Sequence, residues 1–254
     1  MKKVLAISNN TFREAMRKKT LNVLLIFALI IIVSSVFFTY LSPGEEMKII
    51  KDMGLGSIMF FGMLIAVFGA SSLIPMEIEK KTISTVITKP VRRLEFVLGK
   101  FFGVVIVIFI ALVIMGIVFL SLVYLKEDRW DIEIMKAITL TFFELVVVAS
   151  ITICVSTVAS SLFNATFGIF MYIAGHLSPR LEHMIEHTES ETVKIMMTVL
   201  KTILPNFENF NVRNLIVVGR HISNEYLLKV TAYGLLYAFI IMVIAWLLFN
   251  EKEF

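Results

Sequence analysis

The stretch HMIEH, His183 to His187, sets two histidines one helical turn apart with Glu186 between them. These residues fit His-x-x-Glu-His, a zinc-hydrolase pattern in which both histidines bind metal and the glutamate activates water. Such a site also needs a third ligand and a shaped, dry pocket. Glu182, Glu189 and Glu191 stand nearby in no metal-ligand register, so the stretch reads first as a solvated helix face, with no metal site expected. Glu144 is the one acid inside a long apolar run. An ionisable group in hydrocarbon is costly and faces protein or water, which makes Glu144 a candidate pathway residue. Lying ~10 Å from the end of its run, it equally suits a structural carboxylate with a cationic partner. The third candidate is EIEKKTISTVITKPVRRLEFVLGK, Glu77 to Lys100, a polar island between two very apolar stretches. No Gly-x-x-x-x-Gly-Lys-Ser/Thr phosphate loop occurs anywhere, so the usual device for gripping nucleotide phosphates is missing from the chain.

The elements that must position these residues follow from composition. Of 254 residues, 58% are hydrophobic and 17% charged, well short of the roughly one quarter charged in soluble domains. An all-α membrane protein is expected, a single transmembrane domain over residues 1–254. The single Cys154 excludes an internal disulfide, and the net charge of +4 comes with no compact basic and aromatic surface for nucleic acid. A helix needs roughly 20 apolar residues to cross the hydrocarbon. Spans are expected at about 21–41, 54–76, 101–125 and 230–250. The stretch from Ala137 to Ser178 is too long for one crossing and is expected to turn back at SSLFNAT, Ser160 to Thr166, giving spans near 137–160 and 164–179. Six transmembrane helices put both termini on one side. Small residues, Gly62, Ala66 and Ala70 in the second span and Thr152, Ser156 and Ser160 in the fourth, suit close helix packing.

Orientation follows from basic residues in short flanks. Lys2, Lys3, Arg13, Arg17, Lys18 and Lys19 precede the first span, and Lys80, Lys81, Lys89, Arg92, Arg93 and Lys100 lie in the island, together half of the 24 Lys and Arg. Termini and island are therefore expected in the cytoplasm, and His176, His183, His187 and His221 outside. NTFREAMRKKT, Asn10 to Thr20, reads as an interfacial amphipathic helix on the inner leaflet, with Phe12, Ala15, Met16 and the stem of Lys19 on one side. In the outer segment, residues 180–229, Val193, Met196, Met197, Leu200, Ile203 and Leu204 make an apolar helix face ended by Pro205. Within the island, Ile78, Thr82, Ile83, Val86 and Ile87 recur at helical spacing until Pro90 forces a break. A topological anchor needs only a few lysines. Acids, an apolar stripe, a proline break and paired arginines suit a surface that another protein grips.

Glu77, Glu79 and Thr82, then Pro90, Arg93, Gly99 and Lys100, resemble the cytoplasmic segment between the second and third spans of ABC-2 type transporter permeases, with Lys81 where a glycine usually stands. The leading TFREAMRKK, LPNFENFN at Leu204 to Asn211 and the final FNEKEF are similar to the branch that includes sodium-efflux and copper-enzyme-maturation permeases. The resemblance implies a coupling helix in the segment 77–100, docked on a separate cytoplasmic ABC ATPase through Glu77, Glu79, Thr82, Ile83, Val86, Pro90, Arg92 and Arg93. It also implies a second permease, identical or related, and a multi-pass place in the plasma membrane among its lipids. The chain is then expected to be no enzyme and to hold no cofactor, with ATP and Mg on the partner, and export is expected over import. A membrane-embedded metallohydrolase using His183, Glu186 and His187, and a non-transporting scaffold, are the alternatives.

Overall fold

The computed structural model describes residues 2–41, 44–79, 92–187 and 190–251, with the backbone alone for residues 41, 182–184, 186 and 187. Every regular element among them is a helix. The chain opens with α1 (Lys2–Met16), turns at Arg17 and Lys18, and continues as α2 (Lys19–Phe38), ended by a 3-10 turn at Thr39–Leu41. Then come α3 (Glu46–Ser71), the short α4 (Pro75–Glu79) and α5 (Arg93–Glu127). The Asp128 backbone adopts the left-handed conformation, φ 54°, and stops α5. Asp131 starts α6 (Ile132–Ser156) by accepting a hydrogen bond from the Glu133 N–H at 3.0 Å. After α7 (Ser161–His187) and α8 (Glu191–Ile203), a 3-10 turn at Phe207–Phe210 and α9 (Arg213–Val217) lead into α10 (Asn224–Asn250), capped by Ser223.

Five of these helices are long and apolar enough to cross a membrane: α2, α3 with its continuation to Glu79, α5, α6 and α10. They match the expected runs because apolar length is the only strong constraint hydrocarbon imposes. The remaining expected span, 164–179, falls within α7, which continues to His187 and carries Asn164, His176, Pro179 and Arg180. The turn before it lies at 157–160, earlier than expected, and Ser161 to Thr166 are already helical. Their polar groups need no surface turn. The Thr166 hydroxyl donates to the Phe163 carbonyl at 2.8 Å, and the Asn164 amide donates across to the Ser71 carbonyl at 3.0 Å.

Lipid tails are as apolar as leucine, so burial of apolar surface does not draw membrane helices together; close packing does. Glycines set that packing here. Gly54 of α3 faces Phe119 of α5, Gly62 faces Leu112 and Leu145, and Gly69 faces Val104, the pairing of antiparallel neighbours. Gly168 of α7 lies beside Thr152 of α6 and Val67 of α3. Glu144 of α6 is level with His176 of α7, so α6 and α7 form an antiparallel hairpin. α3 is the most enclosed helix, whereas α2 exposes Val23, Ile26, Phe27 and Ile30 and turns Leu21, Ala28, Ile32 and Ser35 inward.

The amphipathic leader also differs from expectation. The helix ends at Met16, because the chain turns at Arg17 and Lys18, and Lys19 belongs to the next helix. Its buried side is Ser8, Thr11 and Ala15, while Met16 is exposed. Gly99 and Gly103 of α5, one helical turn apart, let the Ile7 and Thr11 side chains sit directly on the α5 backbone. α1 is therefore a packed part of the helix assembly.

A Cβ added at Gly103 would lie 2.5 Å from the Thr11 Cβ and 3.0 Å from the Ser8 carbonyl, whereas one at Gly69 meets nothing nearer than 3.9 Å. Gly103→Val is expected to cost about 1–3 kcal/mol and to lower the thermal midpoint of the detergent-solubilised protein by several degrees. Gly69→Ala should leave the midpoint within error or raise it.

Candidate functional site

The island's two ends are built into one end of the helix assembly, the basal end, where α3 finishes, α5 begins and α10 finishes. Pro75 fixes the first position of α4, where a missing N–H costs nothing, and places Glu77 at the middle of this five-residue helix. The Glu77 carboxylate accepts a hydrogen bond from the Lys100 ammonium. Lys100 is 1% exposed, an unusual place for a lysine. Its ammonium also lies 3.9 Å from Glu14 of α1 and 5.7 Å from the centre of the Phe96 ring. α1, α4 and α5 thus share one buried charge.

The other end of the island is held by backbone dipoles. Arg93 donates from one nitrogen to the carbonyls of Phe249 at 3.0 Å and Asn250 at 2.8 Å, the last residues of α10. A guanidinium suits this position, because helix C-terminal carbonyls lack intrahelical donors and carry partial negative charge. Phe96, one turn on, stacks on Phe249 with ring centres 5.5 Å apart. The Arg92 N–H donates to Glu95 at 2.9 Å, closing the first turn of α5. Glu79 is exposed at the end of α4. Thr82, Ile83, Val86 and Pro90 lie outside the described residues.

A second constellation surrounds Glu144, which is completely buried. One carboxylate oxygen pairs at 2.8 Å with Nε2 of His176, and the His176 Nδ1 lies 3.3 Å from Glu208. Tyr172, one turn before His176 on α7, also interacts with Glu144 and packs edge-on against the imidazole. Glu208 comes from LPNFENFN, whose Phe207 and Phe210 are buried against Gly175 of α7 and Gly234 of α10. Three tyrosines of α10 hold this segment: Tyr233 accepts from the Asn206 N–H, Tyr226 donates to the Asn209 carbonyl and Tyr237 to the Ile203 carbonyl. An imidazole between a buried carboxylate and a half-exposed one can carry a proton and make the burial of Glu144 tolerable. It does not offer three ligands to one ion, because the ring separates the carboxylates. His176 therefore belongs to the helix assembly. His221 is exposed, 2.7 Å from Glu133. His183, Glu186 and His187 stand on the last turns of α7, with side chains outside the described residues.

A model of the family described as ABC-2 family transporter protein matches residues 5–254 of the chain. The chain belongs to that family. Comparison with curated proteins returns no match. This ABC-2 protein is a multi-pass membrane protein and a permease subunit of an ABC transporter.

In this permease the opposite, distal end is closed by ion pairs. Arg213 of α9 grips Asp52 of α3 through two nitrogens at 2.5 and 2.7 Å, which holds its guanidinium further above the usual range. Lys51 bridges Asp131 at 2.7 Å and Glu127 at 3.0 Å, tying α3 to the α5–α6 connection. Glu133 accepts from the Ile222 N–H at 2.8 Å while Lys136 donates to the Ile222 carbonyl at 2.7 Å, fixing the chain just before α10. Sequence alone named Glu77, Arg93, Lys100 and Glu144 but not their partners. The pairing of Glu144 with His176 follows from the observed turn at 157–160, from which the two lie almost equally far, whereas the expected turn at 160–166 hid it.

Removing one partner of a buried pair costs more than removing both, since a lone charge is left in low dielectric. Lys100→Met is expected to destabilise the permease by about 3–5 kcal/mol. The double variant Lys100→Met/Glu77→Gln should recover much of that loss, measured as the thermal midpoint in detergent.

Proposed function

We propose that this permease transmits ATP-driven closure of a separate cytoplasmic ABC ATPase, bound to the segment Glu77–Arg93, into movement of its helices. It works as a dimer, with itself or a related chain, and moves substrate out of the cytoplasm. The observation that supports this most is the anchoring of both flanks of the segment. Glu77 is tied to Lys100 of α5, and Arg93 to the end of α10. A loop serving only to fix topology needs no such fastening, whereas a force-bearing connection does. Movement of the segment would then reach α1, α5 and α10 together.

In this proposal the segment places an apolar stripe, Ile83 and Val86, in a groove of the ATPase, with Glu79 and Thr82 beside it and the Pro90 break setting the exit towards Arg92. ATP and Mg belong to the partner. α7 is the sixth crossing, running back beside α6, and the basal end faces the cytoplasm with both termini. The distribution of basic residues supports that orientation. Glu144, enclosed by His176, Tyr172 and the LPNFENFN segment, serves the closed α6–α7 hairpin rather than an open path through one subunit.

The proposal is tested on the stripe and on the orientation. Ile83→Glu/Val86→Glu is expected to insert normally yet lose ATPase co-purification and transport, because a docked stripe would have to bury two charges. Normal ATPase binding in that variant would reduce the segment to a positively charged loop. Arg129, 76% exposed at the distal end, and Lys81 test the sides. A cysteine at Arg129 should react with an impermeant thiol reagent applied to intact cells, and one at Lys81 should not. Labelling at Lys81 alone would reverse the orientation.

A further inference from the structure

A cavity of about 390 Å³ opens at the basal end between the α1–α2 turn, the end of α3 and the start of α7. Its polar lining includes Lys18, Thr20, Ser72 and Ser161, and its apolar rim includes Phe68 and Leu162. Among the described residues of that lining, Lys18 is the one that is charged. Its ammonium donates to the Ser72 hydroxyl at 2.7 Å, a neutral partner that leaves further N–H groups for an acceptor in the cavity. Burial holds Lys18 below the usual lysine range; the Glu14 carboxylate opposes this shift and the Lys100 charge adds to it. Glu14 itself lies 3.9 Å from Lys100, so its charge is shared. The cavity is thus a desolvated cation with hydroxyls around it and no anion among its described lining residues.

The rim says where that anion comes from. Leu162 is 79% exposed and Phe68 36%, both on the outer surface of the helices. The neighbouring α2 is largely uncovered along its length, as a helix facing hydrocarbon is. An amphiphile would set its head on Lys18 and the hydroxyls and lay its chains on Phe68, Leu162 and the face of α2. We propose that this cavity binds the phosphate group of an anionic phospholipid from the leaflet at the basal end. Charge complementarity with Lys18 selects the head group, and the apolar rim selects a lipid over free phosphate. The site depends on neither the ATPase partner nor the direction of transport.

The test uses the purified full-length permease in a non-ionic detergent, titrated with phosphatidylglycerol and followed by native mass spectrometry. The unmodified protein is expected to retain one phosphatidylglycerol more tightly than phosphatidylcholine. Lys18→Met should weaken that retention about five- to tenfold, the effect of one basic residue on an anionic lipid. Lys19→Met, an adjacent exposed lysine outside the lining, should leave it unchanged. Leu162→Glu provides a variant that disturbs no buried contact: a carboxylate on the rim should also lower retention, with the thermal midpoint unaltered. Displacement of the lipid by millimolar inorganic phosphate would overturn the proposal in favour of a soluble phosphate site. Equal loss with Lys18→Met and Lys19→Met, or no loss with Lys18→Met and Leu162→Glu, would show only general attraction of lipid to a basic surface and would also overturn it.

Discussion

An ammonium group that water cannot reach requires an opposite charge held at hydrogen-bonding distance, and Lys100 obtains its own from Glu77. Much of the basal architecture follows from that requirement. α5 cannot begin where it does unless α4 delivers a carboxylate to it, and α4 can do so only because Pro75 starts a helical turn immediately after α3 ends. The same ammonium lies within 3.9 Å of Glu14, which sets α1 against the first turns of α5, where Gly99 and Gly103 leave room for it. Polar pairing supplies register and small residues supply proximity. Neither is replaceable by hydrophobic burial inside hydrocarbon.

The two ends of the assembly solve the charge problem differently. Distally, Lys51 has two carboxylates and Arg213 binds Asp52 through two nitrogens, so the connections between helices are stapled by paired side chains. At the basal end one guanidinium, Arg93, is satisfied by main-chain carbonyls at the end of α10. Carbonyls at a helix terminus are fixed by the helix itself, so this joint reports the position of α10 as a whole. The distal end resembles a clasp and the basal end a set of joints.

The five long apolar helices were legible because the length of an apolar run is all that hydrocarbon demands of them. α7 was only half legible. Asn164 and Thr166 looked like a turn, yet their side chains are satisfied by the Ser71 carbonyl and by the helix's own carbonyls, and the real break comes before them. His176 looked external because the polar composition around it hides a helix of the assembly; its partner, Glu144, was visible as an anomaly without a solution. Lys100 and Glu77 were noticed as ends of one motif, but 23 residues of separation carry no sign of a contact. The carbonyls that Arg93 reaches at the end of α10 could not be foreseen, since backbone acceptors leave no trace in a sequence. Most of the gripping stripe, Thr82, Ile83, Val86 and Ile87, falls outside the described residues together with Pro90 and rests on periodicity and resemblance.

The hairpin of α6 and α7 bears on how the protein is made. α6 is among the described helices long and apolar enough to cross a membrane, and α7 is not. Its amide and imidazole find their partners on α3 and α6, which emerge from the ribosome first. Asn164 and His176 are costly in lipid until Ser71 and Glu144 are within reach, and Glu144 is equally costly alone. With α7 as the proposed sixth crossing, the two helices would enter as a pair or wait at the membrane surface for one another, and the four-residue link at 157–160 would keep that wait short. A nascent chain arrested between them would hold an unmatched carboxylate, the kind of defect that membrane quality control detects.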